Sequence, residues 1–274
     1  MNKQINMGCK APKVDLRDYK LPKAGAVITA LPSTYICSSA LPQIKNQKQV
    51  NSCVAHATSS ILEFHNRNTK TLSTNFIYGI QKKLFGHKDQ GMYLKDACKI
   101  AQQYGDMLEV DCPGNTEVPE AHTIAEKAFL EPVKMNKAKE YKLSSYYSCT
   151  TQFDTKRAIY QHGPVLASIK WYTNFKVNKD GELVGSLDGD YGYHAVVVYG
   201  WNEKGFLCQN SWGDDWGNRG RFLLPYYIGL AEAKGMIDWT KESDTEDLIK
   251  PATNNFWDVV LKLLSSILNL FKKK

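Results

Sequence analysis

The chain has 274 residues, 43% hydrophobic and 23% charged, which suits a globular protein with a substantial core. Its 19 glycines fall without a period and its aromatics reach 11%, so collagen-like, coiled-coil and wholly disordered classes are excluded. The formal charge is +7, and residues 1 to 32 hold six Lys/Arg against Asp15 and Asp18, so much of the excess sits at the start. A basic stretch of this kind, poor in aromatics, reads as a solvated leader, and no nucleic-acid partner is expected.

Seven cysteines (9, 37, 53, 98, 112, 149 and 208) make an odd number without C-x-x-C spacing, so at least one thiol stands outside any internal disulfide. Cys98 and Cys208 lie in apolar, periodic contexts and read as core. The first 21 residues lack an apolar h-region, and the longest uncharged stretch, 24 to 44, is broken by Pro32 and Pro42. Neither a secretory signal nor a spanning helix is expected, which points to synthesis in a reducing cytosol and leaves membrane-surface or virion association open.

Residues 1 to 30 read as an irregular basic leader, with Pro12 and Pro22 breaking any period. From Cys53 the small and apolar residues Val54, Ala57, Ile61 and Leu62 recur at helical spacing to about Asn66, with Ser52 as the cap. Further helices are expected over Thr74 to Phe85, over Leu94 to Tyr104 with Gly105 ending it, and from about Thr155 to His162 before Gly163-Pro164. The period then changes to short β-prone runs at 165–169, 195–199, 205–208 and 221–224, separated by glycine-containing turns. Helices first and strands second imply an α+β protein of two lobes, with a site in the cleft between them.

Residues 241 to 255 read as a charged linker. In 256 to 274 the polar residues Asp258, Lys262, Ser265, Ser266 and Asn269 fall within an arc of about 100° on a helical wheel. At about 24 Å this helix is too short to span a bilayer. It reads as a membrane-surface anchor, a protein-binding or self-associating segment, or a flap on the body, the anchor being favoured by its broad apolar face and terminal lysines.

The chemistry concentrates elsewhere. A cysteine at a helix N-terminus faces unpaired backbone N–H groups and the positive end of the dipole, which favours the thiolate. With Cys53 in that position, Gln47 lies six residues upstream, His194 opens an apolar strand, and Asn210 begins Asn210-Ser211-Trp212-Gly213. Together these supply an oxyanion donor, a nucleophile, a base and a group to orient the base. His56 lies one turn after Cys53 and reads as a packing residue. His65, His87, His122 and His162 show no ligand spacing, so no metal and no cofactor is expected.

Three segments, Lys45 to Cys53, the His194 strand, and Asn210 to Gly217 with Gly220 behind it, resemble the papain-like cysteine peptidases, most nearly bacterial and viral members with short leaders. The resemblance covers roughly residues 31 to 240. It implies a helical N-terminal lobe, an antiparallel β-barrel-like C-terminal lobe and cleavage of protein or peptide substrates. By the same resemblance Cys53 attacks the peptide carbonyl, His194 is acid and base, Asn210 orients His194, and Gln47 with the Cys53 N–H binds the oxyanion. Trp212 shields the His194–Asn210 bond, Gly91 pairs with extended substrate, and Met92, Tyr93 and Ser168 build an apolar pocket for the residue two positions before the cut.

The chain also departs from that pattern. Val54 follows the nucleophile where tryptophan is usual, Asn51 replaces a glycine and would tolerate positive φ, Val50 replaces a disulfide cysteine, and Tyr193 precedes the histidine. The leader would then either pack on the body or lie over the cleft as an inhibitor. The competing readings are a catalytically weak papain-fold binding module and a Cys-His cell-wall amidase.

Overall fold

The computed structural model describes residues 7–13, 30–37, 41–85, 91–113 and 132–238. The expected linker (241–255) and amphipathic segment (256–274) lie outside the described residues, as do His87, His122 and most of the leader.

Helices α1 (Cys53–His65), α2 (Thr74–Phe85) and α3 (Leu94–Gln103) match the sequence periods closely. Every residue of α1 from Cys53 to Glu63 is buried, which its small residues Ala55, Ala57, Ser59 and Ser60 permit by letting neighbours approach on all sides. Ser52 holds the N-cap position but does not cap through its side chain; its hydroxyl faces His56 Nδ1 at 3.2 Å instead. Helix α4 (Pro132–Ala138) was not anticipated. Helix α5 (Gln152–His162) starts before the expected Thr155, because Thr151 and Asp154 form a reciprocal capping box, with Asp154 N–H donating to Thr151 Oγ1 at 3.0 Å.

The strands are β1 (Tyr35–Ile36), β2 (Ser145–Cys149), β3 (Val165–Tyr172), β4 (Lys176–Val177), β5 (Leu183–Val184), β6 (Tyr191–Trp201), β7 (Gly205–Gln209), β8 (Arg221–Pro225) and β9 (Glu232–Ile237). All but the β4–β5 pair join one antiparallel sheet in the order β2-β9-β3-β6-β7-β8, with β1 added to β6. The order ends at β2 and β8, so among the described residues this is an open sheet and not the expected barrel-like closure.

Strand alternation divides two cores. Leu166, Ala195 and Val197 face a cluster with Ile61, Phe76 and Ile100 of the helices, whereas Ala167, Ile169, Val196 and Val198 face a second with Ile159 and Trp171. His194 shares the parity of Val196 and Val198, so its ring meets Trp171 at a centroid distance of 5.5 Å. All seven cysteines are free, and Cys98 and Cys208 are core residues as expected. No helix of the described residues is long and apolar enough to cross a membrane.

Candidate active site

Cys53 opens α1, and α1 packs against β6, so the Cys53 Sγ lies beside that strand and accepts the Ala195 N–H at 3.4 Å. The preceding residue is His194, and β7 runs antiparallel to β6 with Gln209 opposite Val197, which carries Asn210 back to the histidine. His194 Nε2 lies 2.7 Å from Asn210 Oδ1, an oxygen that also accepts the Ser211 N–H at 2.7 Å. Since that oxygen only accepts, the network assigns the imidazole proton to Nε2 and leaves Nδ1, which has no hydrogen-bond partner, with the lone pair. The Trp212 ring covers His194 at 4.4 Å, backed by Trp171 at 4.8 Å.

Gln47 reaches the site by pairing between chain segments. Its N–H donates to Ser211 O at 2.8 Å and Gly213 N–H donates to Lys45 O at 3.1 Å, a short antiparallel bridge. The Gln47 amide is then oriented at both ends: Oε1 accepts Ser211 Oγ at 2.7 Å, and Nε2 donates to Val50 O at 3.0 Å in the loop before Cys53. Ser211 therefore touches both the amide and the histidine's partner. Ser211 stands inside Asn210-Ser211-Trp212-Gly213, but its tie to Gln47, 164 residues away along the chain, has no local sequence signal.

Residues 7–13 occupy the groove above Cys53. Gly8 N–H donates to Cys53 Sγ at 3.3 Å, Met92 N–H to Gly8 O at 2.8 Å, Lys10 N–H to Met92 O at 2.8 Å, and Cys9 N–H to Tyr193 O at 3.3 Å. A Cβ on Gly8 would lie 2.0 Å from Asn51 O, so only glycine fits there. The groove edge that pairs with this segment is Met92 and not the expected Gly91, whose N–H donates to Tyr78 Oη at 3.4 Å and whose carbonyl accepts Lys82 Nζ at 3.2 Å. Gly91 instead permits the close approach, since its φ is 88° and a Cβ would meet Gly8 O at 2.9 Å. The positive φ anticipated at Asn51 occurs instead at Lys48, with φ 47°.

Cys9 lies against the fully buried Ser168 and Met92, so it fills the space that the sequence reading gave to a substrate side chain. Tyr93 is half-buried, and its ring carries Lys13 Nζ at 4.3 Å and Lys10 Nζ at 5.2 Å.

This cover changes the electrostatics. Cys53 and His194 are both 0% exposed. Burial pushes the Cys53 thiol up to about 11 against the pull of the Ala195, Gly8, Val54 and Cys53 N–H groups, and burial lowers His194 to about 4 against its bond to Asn210. With Cys53 covered, burial therefore works against the thiolate that the helix N-terminus favours. His56 is a packing residue as expected, 3.0 Å from Ser52 O and lowered to about 4 by burial. Among the described residues no group of three or more His, Cys, Asp and Glu side chains could hold a metal.

The model of the papain family cysteine proteases matches residues 34–229. The chain belongs to the papain family of cysteine proteases. An uncharacterized peptidase C1-like protein of Acanthamoeba polyphaga mimivirus is 30% identical over 77% of this chain and 72% of its own length. A cathepsin B-like cysteine proteinase of Ostertagia ostertagi is 31% identical over 46% of this chain and 74% of its own. Among solved structures, xylellain, a cysteine protease from Xylella fastidiosa, shares the fold, with a TM-score of 0.73 at 20% identity over 87% of this chain and 98% of that one. The chain is accordingly a hydrolase of the thiol-protease class acting on proteins or peptides, and the amidase reading gives way.

Proposed function

We propose that the chain hydrolyses peptide bonds through Cys53, His194 and Asn210, with Gln47 assisting. The observation that carries this is the 2.7 Å contact of His194 Nε2 with Asn210 Oδ1, which leaves Nδ1 as the base on the strand whose next N–H reaches Cys53 Sγ. With water admitted, the thiol proton passes to Nδ1 and the thiolate attacks the substrate carbonyl. The Cys53 N–H and the Gln47 amide hold the oxyanion, the imidazolium protonates the leaving amine, and water activated by His194 then hydrolyses the thioester. The Met92–Ser168 pocket favours a hydrophobic residue two positions before the cut. Iodoacetamide labelling of Cys53 at pH 6, compared between chains carrying Gly8→Ala to unseat the N-terminal segment with and without His194→Asn, tests the pair. Slower labelling with His194→Asn supports it, and equal rates refute it.

The N-terminal segment is an inhibitor in this reading. The Gly8 N–H donates to Sγ, so the segment caps the sulfur that substrate would have to reach. Binding of residues 256–274 to a lipid surface rests on the sequence pattern. Co-sedimentation with anionic liposomes, with and without those residues, tests it, and equal partitioning overturns it.

A further inference from the structure

Along the groove the N-terminal segment places Gly8 over Cys53, Cys9 against Ser168, and then Lys10 and Lys13 on Tyr93. The segment thus sets its backbone on the sulfur, one side chain against Ser168 and two ammonium groups on the Tyr93 ring. Both ammonium groups lie within 5.2 Å of the ring centroid, inside the range where a cation is attracted to the ring quadrupole.

The platform is fixed by its surroundings. Tyr93 lies between Met92, which is hydrogen-bonded to the segment through both N–H and C=O, and α3, where Asp96 N–H donates to Tyr93 O at 3.2 Å. Its backbone is extended, with φ −86° and ψ 143° at the helix N-cap position, and its half-buried ring carries the two ammonium groups. A substrate that displaces the segment would meet the same ring.

We infer that Tyr93 is a cation-binding platform that gives this peptidase a preference for lysine or arginine on the far side of the Met92–Ser168 pocket from the scissile bond. The inference rests on the peptidase reading above. It names a substrate class, peptides with a hydrophobic residue two positions before the cut and a basic residue at the third. The segment's own lysines use the same face in the closed chain.

Binding tests this without turnover. The full chain carrying Gly8→Ala, to unseat the segment, and Cys53→Ala, to prevent cleavage, is titrated by fluorescence anisotropy with peptides bearing leucine at the second position and Lys, Gln or Glu at the third. The lysine peptide is expected to bind about two- to fivefold tighter than the glutamine peptide. The advantage should vanish in Tyr93→Leu and persist in Tyr93→Phe, which keeps the ring. Equal affinities, or a lysine preference that survives Tyr93→Leu, overturn the inference.

A second measurement does not depend on unseating the segment. In the otherwise native chain, Tyr93→Leu and the pair Lys10→Gln/Lys13→Gln should each speed alkylation of Cys53 by about two- to fivefold, and all three changes together no further, while Tyr93→Phe leaves the rate unchanged. Unchanged rates in Tyr93→Leu, or additive gains, overturn it as well. Failure of the peptidase reading shows separately: with Gly8→Ala alone, no Cys53-dependent cleavage of any of these peptides occurs, whatever the binding order.

Discussion

The Gly8 N–H donates to the Cys53 Sγ at 3.3 Å, so a residue 45 positions upstream sits on the sulfur that the proposed chemistry needs bare. The contact is sterically selective, because a methyl group on Gly8 would meet both the carbonyl oxygen and carbon of Asn51, at 2.0 and 2.1 Å. Gly8→Ala is expected to unseat the segment and raise the Cys53 alkylation rate about tenfold, within the range that overpacking a close contact costs. Mass-spectrometric counting of labelled Cys53 against time checks it. An unchanged rate would mean that the segment does not control access.

Ser211 orients Gln47 through its 2.7 Å hydroxyl bond to Oε1. Ser211→Ala frees that end of the amide, and kcat should fall about three- to tenfold with KM nearly constant, as loss of one buried hydrogen bond acting mainly in the transition state predicts. Steady-state kinetics on the Gly8→Ala background separates the two constants. A rise in KM at constant kcat would place Ser211 in substrate binding instead.

Acid should destabilise the chain. Burial lowers His56 and His194 to about 4 from 6.5, so the unfolded chain binds more protons between those values and stability falls as pH drops from about 6.5 toward 4. At pH 5 each histidine contributes a loss of about 2 kcal/mol relative to neutral pH. Urea midpoints at pH 7 and pH 5 measure it, and His56→Gln should remove part of the difference. Equal midpoints at both values would contradict the burial argument.

The helical layer holds an ion pair away from water. Lys45 Nζ meets Glu63 Oε1 at 2.7 Å with side-chain exposures of 14% and 6%, and the same oxygen accepts the Leu72 N–H at 2.8 Å. Lys45→Met leaves a buried carboxylate without its cation and should cost about 3–5 kcal/mol in chemical denaturation. Lys45 also lies two residues before Gln47 and its carbonyl accepts the Gly213 N–H, so activity should fall with stability.

Much of this molecule is legible in its sequence because the helices and the central strands bury regular patterns. Helix α1 and the Ala195–Val198 alternation announce themselves. Strand β9 does not: Glu232 and Lys234 disrupt its apolar pattern, and the strand is buried because Lys234 pairs with Glu232 at 3.1 Å and Ser148 Oγ at 2.7 Å. The early start of α5 was readable from Thr151 and Asp154 but hidden by weak periodicity. Cys53, His194, Asn210 and Gln47 stood out by residue type and order. The Trp171 backing of Trp212, the Ser211–Gln47 bond and the path of residues 7–13 depend on pairings more than 40 residues apart along the chain, which no local pattern encodes.

The most direct test of the account is hydrolysis of a fluorogenic peptide with a hydrophobic residue two positions before the reporter, under reducing conditions, by the Gly8→Ala chain and by Gly8→Ala/Cys53→Ala. The account predicts turnover by the first, with Cys53 among the labelled thiols, and none by the second. Equal hydrolysis by both, or no hydrolysis by a Gly8→Ala chain whose Cys53 is readily labelled, would contradict it.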